Sequence, residues 1–168
     1  MKINGKSYSG GYIATVVLPR GDDYIVFKCQ AVMDYKEFDE LCPRPDAPTI
    51  VRPNGEKSRN YEDPAYNKKL DLWANRRTAY MIIQSLEATE GLEWDTVKKG
   101  DPDTWKNFED DLKNAGITQG EINALTEAIL TANGLNQEKI KQATEAFLAG
   151  KLGRPSDSGS QQDDPQTT

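Results

Sequence analysis

The stretch from Asp63 to Glu90, DPAYNKKLDLWANRRTAYMIIQSLEATE, constrains this chain more than any other. Asp63 supplies an N-cap, and Pro64 suits the first helical position, where a missing N–H costs nothing. No Gly or further Pro follows until Gly91. The pattern predicts one helix over 64–90, roughly 40 Å long at ~1.5 Å per residue. In steps of 100°, Tyr66, Leu70, Trp73, Tyr80 and Met81 fall in one arc, and Leu72, Ala79, Ile83 and Leu86 fall in a second beside it. Only Asn67, Asp71, Asn75, Thr78 and Ser85 form a polar strip. A helix with two apolar arcs is covered on most sides, so the remaining elements are expected to pack around this one.

Those elements follow from local patterns. Residues 11–32 read as a hairpin. Tyr12, Ile13, Val16, Val17 and Leu18 form one strand, Pro19 to Asp23 the loop, and Tyr24, Ile25, Val26, Phe27, Cys29 and Val32 the other strand. A lone hairpin is marginal in water, which makes the long helix its expected support. Tyr35, Phe38 and Leu41 recur every third residue and predict one or two helical turns over 34–41. From Pro43 to Tyr61 the chain is turn-rich, with Pro43, Pro45, Pro48, Pro53 and Asn54-Gly55, and Ile50 and Val51 predict a brief edge strand. Long irregular excursions in small domains are commonly functional, so this arm is the first place to look for a partner.

After the long helix, Trp94 and Val97 predict one turn folded back on it. Asp101-Pro102 repeats the start signal and predicts a helix over 102–115, with Trp105, Phe108 and Leu112 inward and Gly116 as its cap. Thr118 and Glu121 match a capping box, with Ile117 and Ile122 as its staple, and Ile122, Leu125 and Ile129 as the buried stripe. Asn136 opens a last helix ending at Gly150, with Leu135 and Ile140 as staple and Ile140, Ala143 and Phe147 expected to point inward. Short connections predict nearly antiparallel packing of these three helices. Residues 151–168 hold no aromatic side chain and one large apolar one, Leu152. They cannot offset ~1–2 kcal/mol of backbone ordering per residue, so they read as a disordered tail. The expected architecture is α+β: a single domain over 1–150, with hairpin and irregular arm on a central helix followed by three shorter helices, then the tail 151–168.

Composition narrows the function. Net charge is −6, of which residues 91–150 carry −5. An acidic chain without a basic cluster is a poor binder of nucleic acid or anionic membrane. The longest apolar run, Ala79 to Ile83, is five residues, against the ~18 of a membrane span, and Lys2-Ile3-Asn4-Gly5 does not begin a leader. A cytoplasmic protein is expected. Cys29 and Cys42, with no CxxC and no His in the chain, make a poor zinc site and read as reduced, buried thiols. Without His, the usual general base and the Ser-His and Cys-His arrangements are missing. Gly10-Gly11 follows no strand and opens no helix, so it is no phosphate loop. Asp101, Asp103, Glu109, Asp110 and Asp111 lack calcium-loop spacing, and Asp101 and Asp103 suit the positive end of a helix. No catalytic residue, metal or cofactor is expected.

Arg76 and Arg77 interrupt the apolar arcs, and Arg77 lies one turn after Trp73, within stacking reach. Two readings stay open. Their stems line the core edge with the heads in water, or they anchor an acidic patch on a partner or on helices 102–150. The candidate partner-binding residues are Arg52, Asn54 and Tyr61 in the arm, and Tyr66, Arg76 and Arg77 on the long helix.

The order of these pieces carries a resemblance. A hairpin runs into YKEFDELCPRPDAP and then VRPNGEK. YEDPAYNKKLDLWANRRTAYMIIQSL and LEWDTVKKGDPDTWKNFEDDLKNAG follow, then capped helices ending in FLAG and a polar tail. Over residues 11–150 this resembles the tail assembly chaperones of long-tailed bacteriophages. The resemblance implies a non-enzymatic protein of the host cytoplasm, absent from the finished virion. Such a protein binds the tape-measure protein, keeps its long apolar helices soluble and helps recruit tail-tube subunits. Members of the family are also made in a longer form by a programmed frameshift, and the codons of Ala149-Gly150-Lys151 are compatible with a slippery run of G and A. A virion structural or adaptor protein and a small regulatory or host-interfering binding protein remain the alternatives, and self-association stays open.

Overall fold

In the computed structural model, which describes residues 2–7 and 11–150, strands and helices follow in the order β1 (Lys2–Ile3), β2 (Lys6–Ser7), β3 (Ile13–Arg20), β4 (Asp23–Gln30), α1 (Lys36–Leu41), β5 (Thr49–Val51), β6 (Lys57–Arg59), α2 (Pro64–Leu86), α3 (Phe108–Asn114), α4 (Gln119–Ala132) and α5 (Gln137–Leu148). The strands pair as three separate antiparallel hairpins, so the chain is α+β. It divides into two compact units at Leu135–Asn136; the first holds every element from β1 to α4, and the second holds α5. The tail 151–168 lies outside the described residues.

The long helix begins as its sequence dictates: the Asp63 carboxylate accepts the Tyr66 N–H at 2.7 Å, and Pro64 follows. It ends at Leu86, one turn before the expected Glu90. The reason is tertiary. The Thr89 hydroxyl accepts the Lys28 N–H at 2.9 Å and donates to the Lys28 carbonyl at 3.1 Å, which draws residues 87–91 out of the helix and onto β4.

The two halves of α2 differ. From Ala79 to Leu86 every residue except Gln84 is buried, whereas Leu72, expected in a covered arc, is 51% exposed. The buried half stands between two cores. Met81, Ile82 and Leu86 meet the inner face of β3–β4 (Ala14, Leu18, Phe27 and Cys29) and the stripe Ile122, Leu125 and Ile129 of α4. Ala79, Tyr80 and Ile83 meet Phe38 of α1, Cys42, Val97 and Trp105. Ser85, assigned by helical angle to the polar strip, is fully buried and accepts a hydrogen bond from Asn133 Nδ2 at 2.9 Å. Its polarity is satisfied inside rather than solvated.

The loop of β3–β4 is two residues, Gly21-Asp22, not the expected five. Gly21 takes a φ of +63°, which a tight primed turn requires. Pro19 lies within β3 because its position faces away from β4, where a missing N–H breaks no ladder bond. Gly11 lies against Ala31, whose Cβ a side chain there would meet at 2.7 Å.

Three further expectations are corrected. The arm is not wholly irregular, since β5 and β6 pair around the Asn54-Gly55 turn. The helix predicted over 102–115 starts late, as a 3-10 turn at Trp105–Asn107 leading into α3. The Thr104 hydroxyl donates to the Asp101 and Lys98 carbonyls, and Thr104 N–H bonds Asp101, which holds 101–104 as turns. On α5, Ile140, Ala143 and Phe147 are exposed; no residue of this helix is buried. The capping box of α4 forms as predicted, with Thr118 N–H bonded to Glu121 Oε2 at 2.8 Å.

Candidate functional site

The sequence-selected residues do not converge on one site. Arg52 and Asn54 sit at the tip of β5–β6. Arg52 pairs with Glu56 at 3.8 Å, and the Asn54 carboxamide oxygen accepts the Glu56 N–H at 3.1 Å, so both hold the turn. Tyr61 is exposed and meets Tyr66 edge-on, ring centroids 6.2 Å apart, while Tyr66 is buried. Arg59 and Arg44 line the same shallow recess, with the Arg59 guanidinium donating to the Ala47 carbonyl at 2.8 Å.

The adjacent arginines have different partners. Arg76 forms an ion pair with Asp103, so its acidic counterpart belongs to this chain, between α2 and the 3-10 turn. Arg77 stacks over Tyr35 at 4.1 Å and stands 5.8 Å from Trp73, whose indole N–H donates to the Cys42 carbonyl at 3.0 Å. Stacking on Trp73 was the expected arrangement; Tyr35 is the nearer ring, because α1 brings it beside the helix.

The titratable groups serve the fold. Burial pushes the Cys29 thiol up to about 11 and raises that of Cys42 as well, so neither is a ready thiolate. Burial, with Glu37 close by, pushes Tyr80 up to about 12. Asp111 is almost wholly buried, yet its carboxyl stays below the ordinary carboxylate range. It accepts Thr96 N–H at 2.9 Å, the Thr96 hydroxyl at 2.7 Å and Val97 N–H at 3.3 Å, and so clamps the loop 92–97 to α3. Of the acidic residues around the start of α3, this one is therefore a structural acceptor. Among the described residues no group of three His, Cys, Asp or Glu could hold a metal ion. No helix there is long and apolar enough to cross a membrane.

One exposed apolar surface lies among residues that were not candidates on sequence grounds. On the outer face of β3–β4, Ile13, Val17 and Tyr24 are each 53% to 64% exposed. Register puts Val17 opposite Val26 and Pro19 opposite Tyr24 on this face. The signal is present in the sequence: Val16-Val17-Leu18 is apolar at consecutive positions, whereas a strand with one solvated face alternates. Beside that face, along the outer edge of β4, a groove of about 710 Å³ opens between Tyr24–Lys28, the loop 89–95 and the end of α3.

No family model matches the chain, and no curated protein or solved structure matches it.

Proposed function

We propose that this protein is a non-enzymatic tail assembly chaperone of a long-tailed bacteriophage, acting in the host cytoplasm by reversible binding of the tape-measure protein and helping to recruit tail-tube subunits. The observation that carries the reading is the outer face of β3–β4, where Ile13, Val17 and Tyr24 stand exposed on a hairpin whose other face is already buried. A holdase needs such apolar area in contact with water, and clustered exposed apolar residues mark protein-binding surfaces. The net charge of −6 supports the reading by keeping such a surface soluble. The order of motifs over residues 11–150 supplies the phage assignment.

Co-expression with the tape-measure protein tests it. The expected result is a gain in that protein's soluble fraction and a complex on gel filtration, both weakened by Val17→Asp or Tyr24→Asp. No gain and no complex would overturn it. Mass spectrometry of purified particles should find the protein absent, whereas a virion component would be present.

A further inference from the structure

The outer edge of β4 is closed at Lys28 and open at Val26. Lys28 N–H and C=O both bond the Thr89 hydroxyl, so the Lys28 backbone faces away from β3. Ala31 N–H bonds the Tyr12 carbonyl, so odd-numbered positions face β3. Val32 N–H faces outward again, to Asn133 Oδ1 at 2.8 Å. Backbone direction alternates along a strand, which places the Val26 N–H and C=O and the Tyr24 C=O on the outer edge. The Tyr24 N–H on that edge bonds the Asp23 side chain at 2.7 Å. No side chain of the described residues closes the edge at Val26 as Thr89 closes it at Lys28.

This open edge is one wall of the 710 Å³ groove. Phe27, Leu92, Trp94, Leu112 and Ile117 give it an apolar lining in the same layer as the inner face of the hairpin. The opposite rim carries the exposed carboxylates Glu90, Glu93 and Asp95, against a single cation, Lys28, among the lining residues. An unpaired strand edge beside an apolar slot is the geometry of β-strand addition, where the main chain gives affinity and alternate side chains give specificity.

We propose that this groove receives an extended peptide segment as a third strand beside β4. Its backbone pairs with Val26 and the Tyr24 carbonyl, an aliphatic side chain rests on Leu92 and Trp94, and a lysine or arginine meets Glu90, Glu93 and Asp95. The site is distinct from the outer face of the hairpin and does not depend on the tail-assembly reading, because the protein alone can be tested with synthetic peptides.

The probe is the blocked peptide Lys-Val-Lys-Val-Lys, titrated into the ¹⁵N-labelled full chain. The expected result is saturable movement of the Val26 and Tyr24 amide signals. Methylating alternate peptide nitrogens should abolish binding in one of the two registers and spare it in the other. Glu-Val-Glu-Val-Glu should bind at least about tenfold more weakly, as should Lys-Val-Lys-Val-Lys to an E90Q/E93Q variant. Val26→Pro removes the outward N–H without touching the β3 ladder, as Pro19 does on the other strand, and should weaken binding about tenfold. Equal binding of both methylated peptides, equal binding of the acidic peptide, or no movement at Val26 would each overturn the proposal. The peptide arms stand even if the proline variant does not fold.

Discussion

The hairpins β3–β4 and β5–β6 share antiparallel pairing and a glycine-containing turn, yet one is built into the molecule and the other stands off it. In β3–β4, alternate residues Ala14, Leu18, Phe27 and Cys29 are buried against α2 and α4. In β5 every residue is exposed, and β6 carries Lys57, Ser58 and Arg59, with no apolar side chain to cover. The second hairpin is held by main-chain and side-chain bonds at its base: Asn60 N–H to the Pro48 carbonyl and the Arg59 guanidinium to the Ala47 carbonyl, both 2.8 Å. Burying a Phe side chain contributes ~1.5–3 kcal/mol, whereas an exposed cross-strand pair contributes ~0.2–1 kcal/mol. Strand pairing alone therefore does not tie a hairpin to a fold; a covered face does.

Four measurements would break or sharpen this contrast. The largest effect is expected from Phe27→Ala, which should lower unfolding free energy by about 3–5 kcal/mol in a urea titration. A loss below about 1 kcal/mol would mean that the inner face is not what anchors β3–β4. Next is Asn133→Ala. One carboxamide accepts Val32 N–H and donates to Ser85 and the Ile129 carbonyl, so it joins the end of the hairpin to α2 and α4. Its loss leaves buried groups without partners and should cost about 2 kcal/mol, with faster hydrogen exchange at Val32.

Third is the ion pair at the tip, where Arg20 donates to Glu121 at 2.6 Å and 3.1 Å. Those bonds, with Thr118, hold the Glu121 carboxyl down to about 2, against an ordinary value of 4.5. A depressed carboxyl stabilises the folded chain fully above its ordinary value and loses that contribution as pH falls through the folded one. Melting temperature should therefore fall between pH 4.5 and about 2, and Glu121→Gln should flatten that fall. An unchanged acid limb would show that the tip is not tethered. The smallest effect belongs to the other hairpin: Ile50→Ala should change stability by less than about 0.5 kcal/mol, and β5–β6 amides should exchange well before those of β3–β4.

What was legible in the sequence was local. The Asp63-Pro64 start, the Thr118–Glu121 box and the stripe of α4 depend on residues within one or two turns, and each forms. What was not legible depends on residues far along the chain. Ser85 looks polar on a helical wheel, but its partner Asn133 is 48 positions away. Residues 87–90 suit a helix, and only Lys28, 61 positions before Thr89, ends it. For Arg76 the sequence left open an acidic counterpart on a partner or within residues 102–150, and only the fold, by bringing Asp103 beside it, decides for the second. The outer face of β3–β4 was hidden for a different reason. A run such as Val16-Val17-Leu18 announces two apolar faces without saying whether both are covered. On α5 the periodicity was real, and the inference from periodicity to burial was the step that failed.

The two cysteines have a practical consequence. Cys29 belongs to the core under β3–β4, and Cys42 to the core built on Phe38 and Trp105; both are free thiols and both are shielded. Each reacts with a maleimide only when its own core opens. The natural chain therefore carries two internal clocks. Modification of Cys29 times the lifting of the hairpin, and modification of Cys42 times the release of α1. Followed in one reaction by peptide mass, the two rates tell whether the cores flanking α2 open together or one after the other.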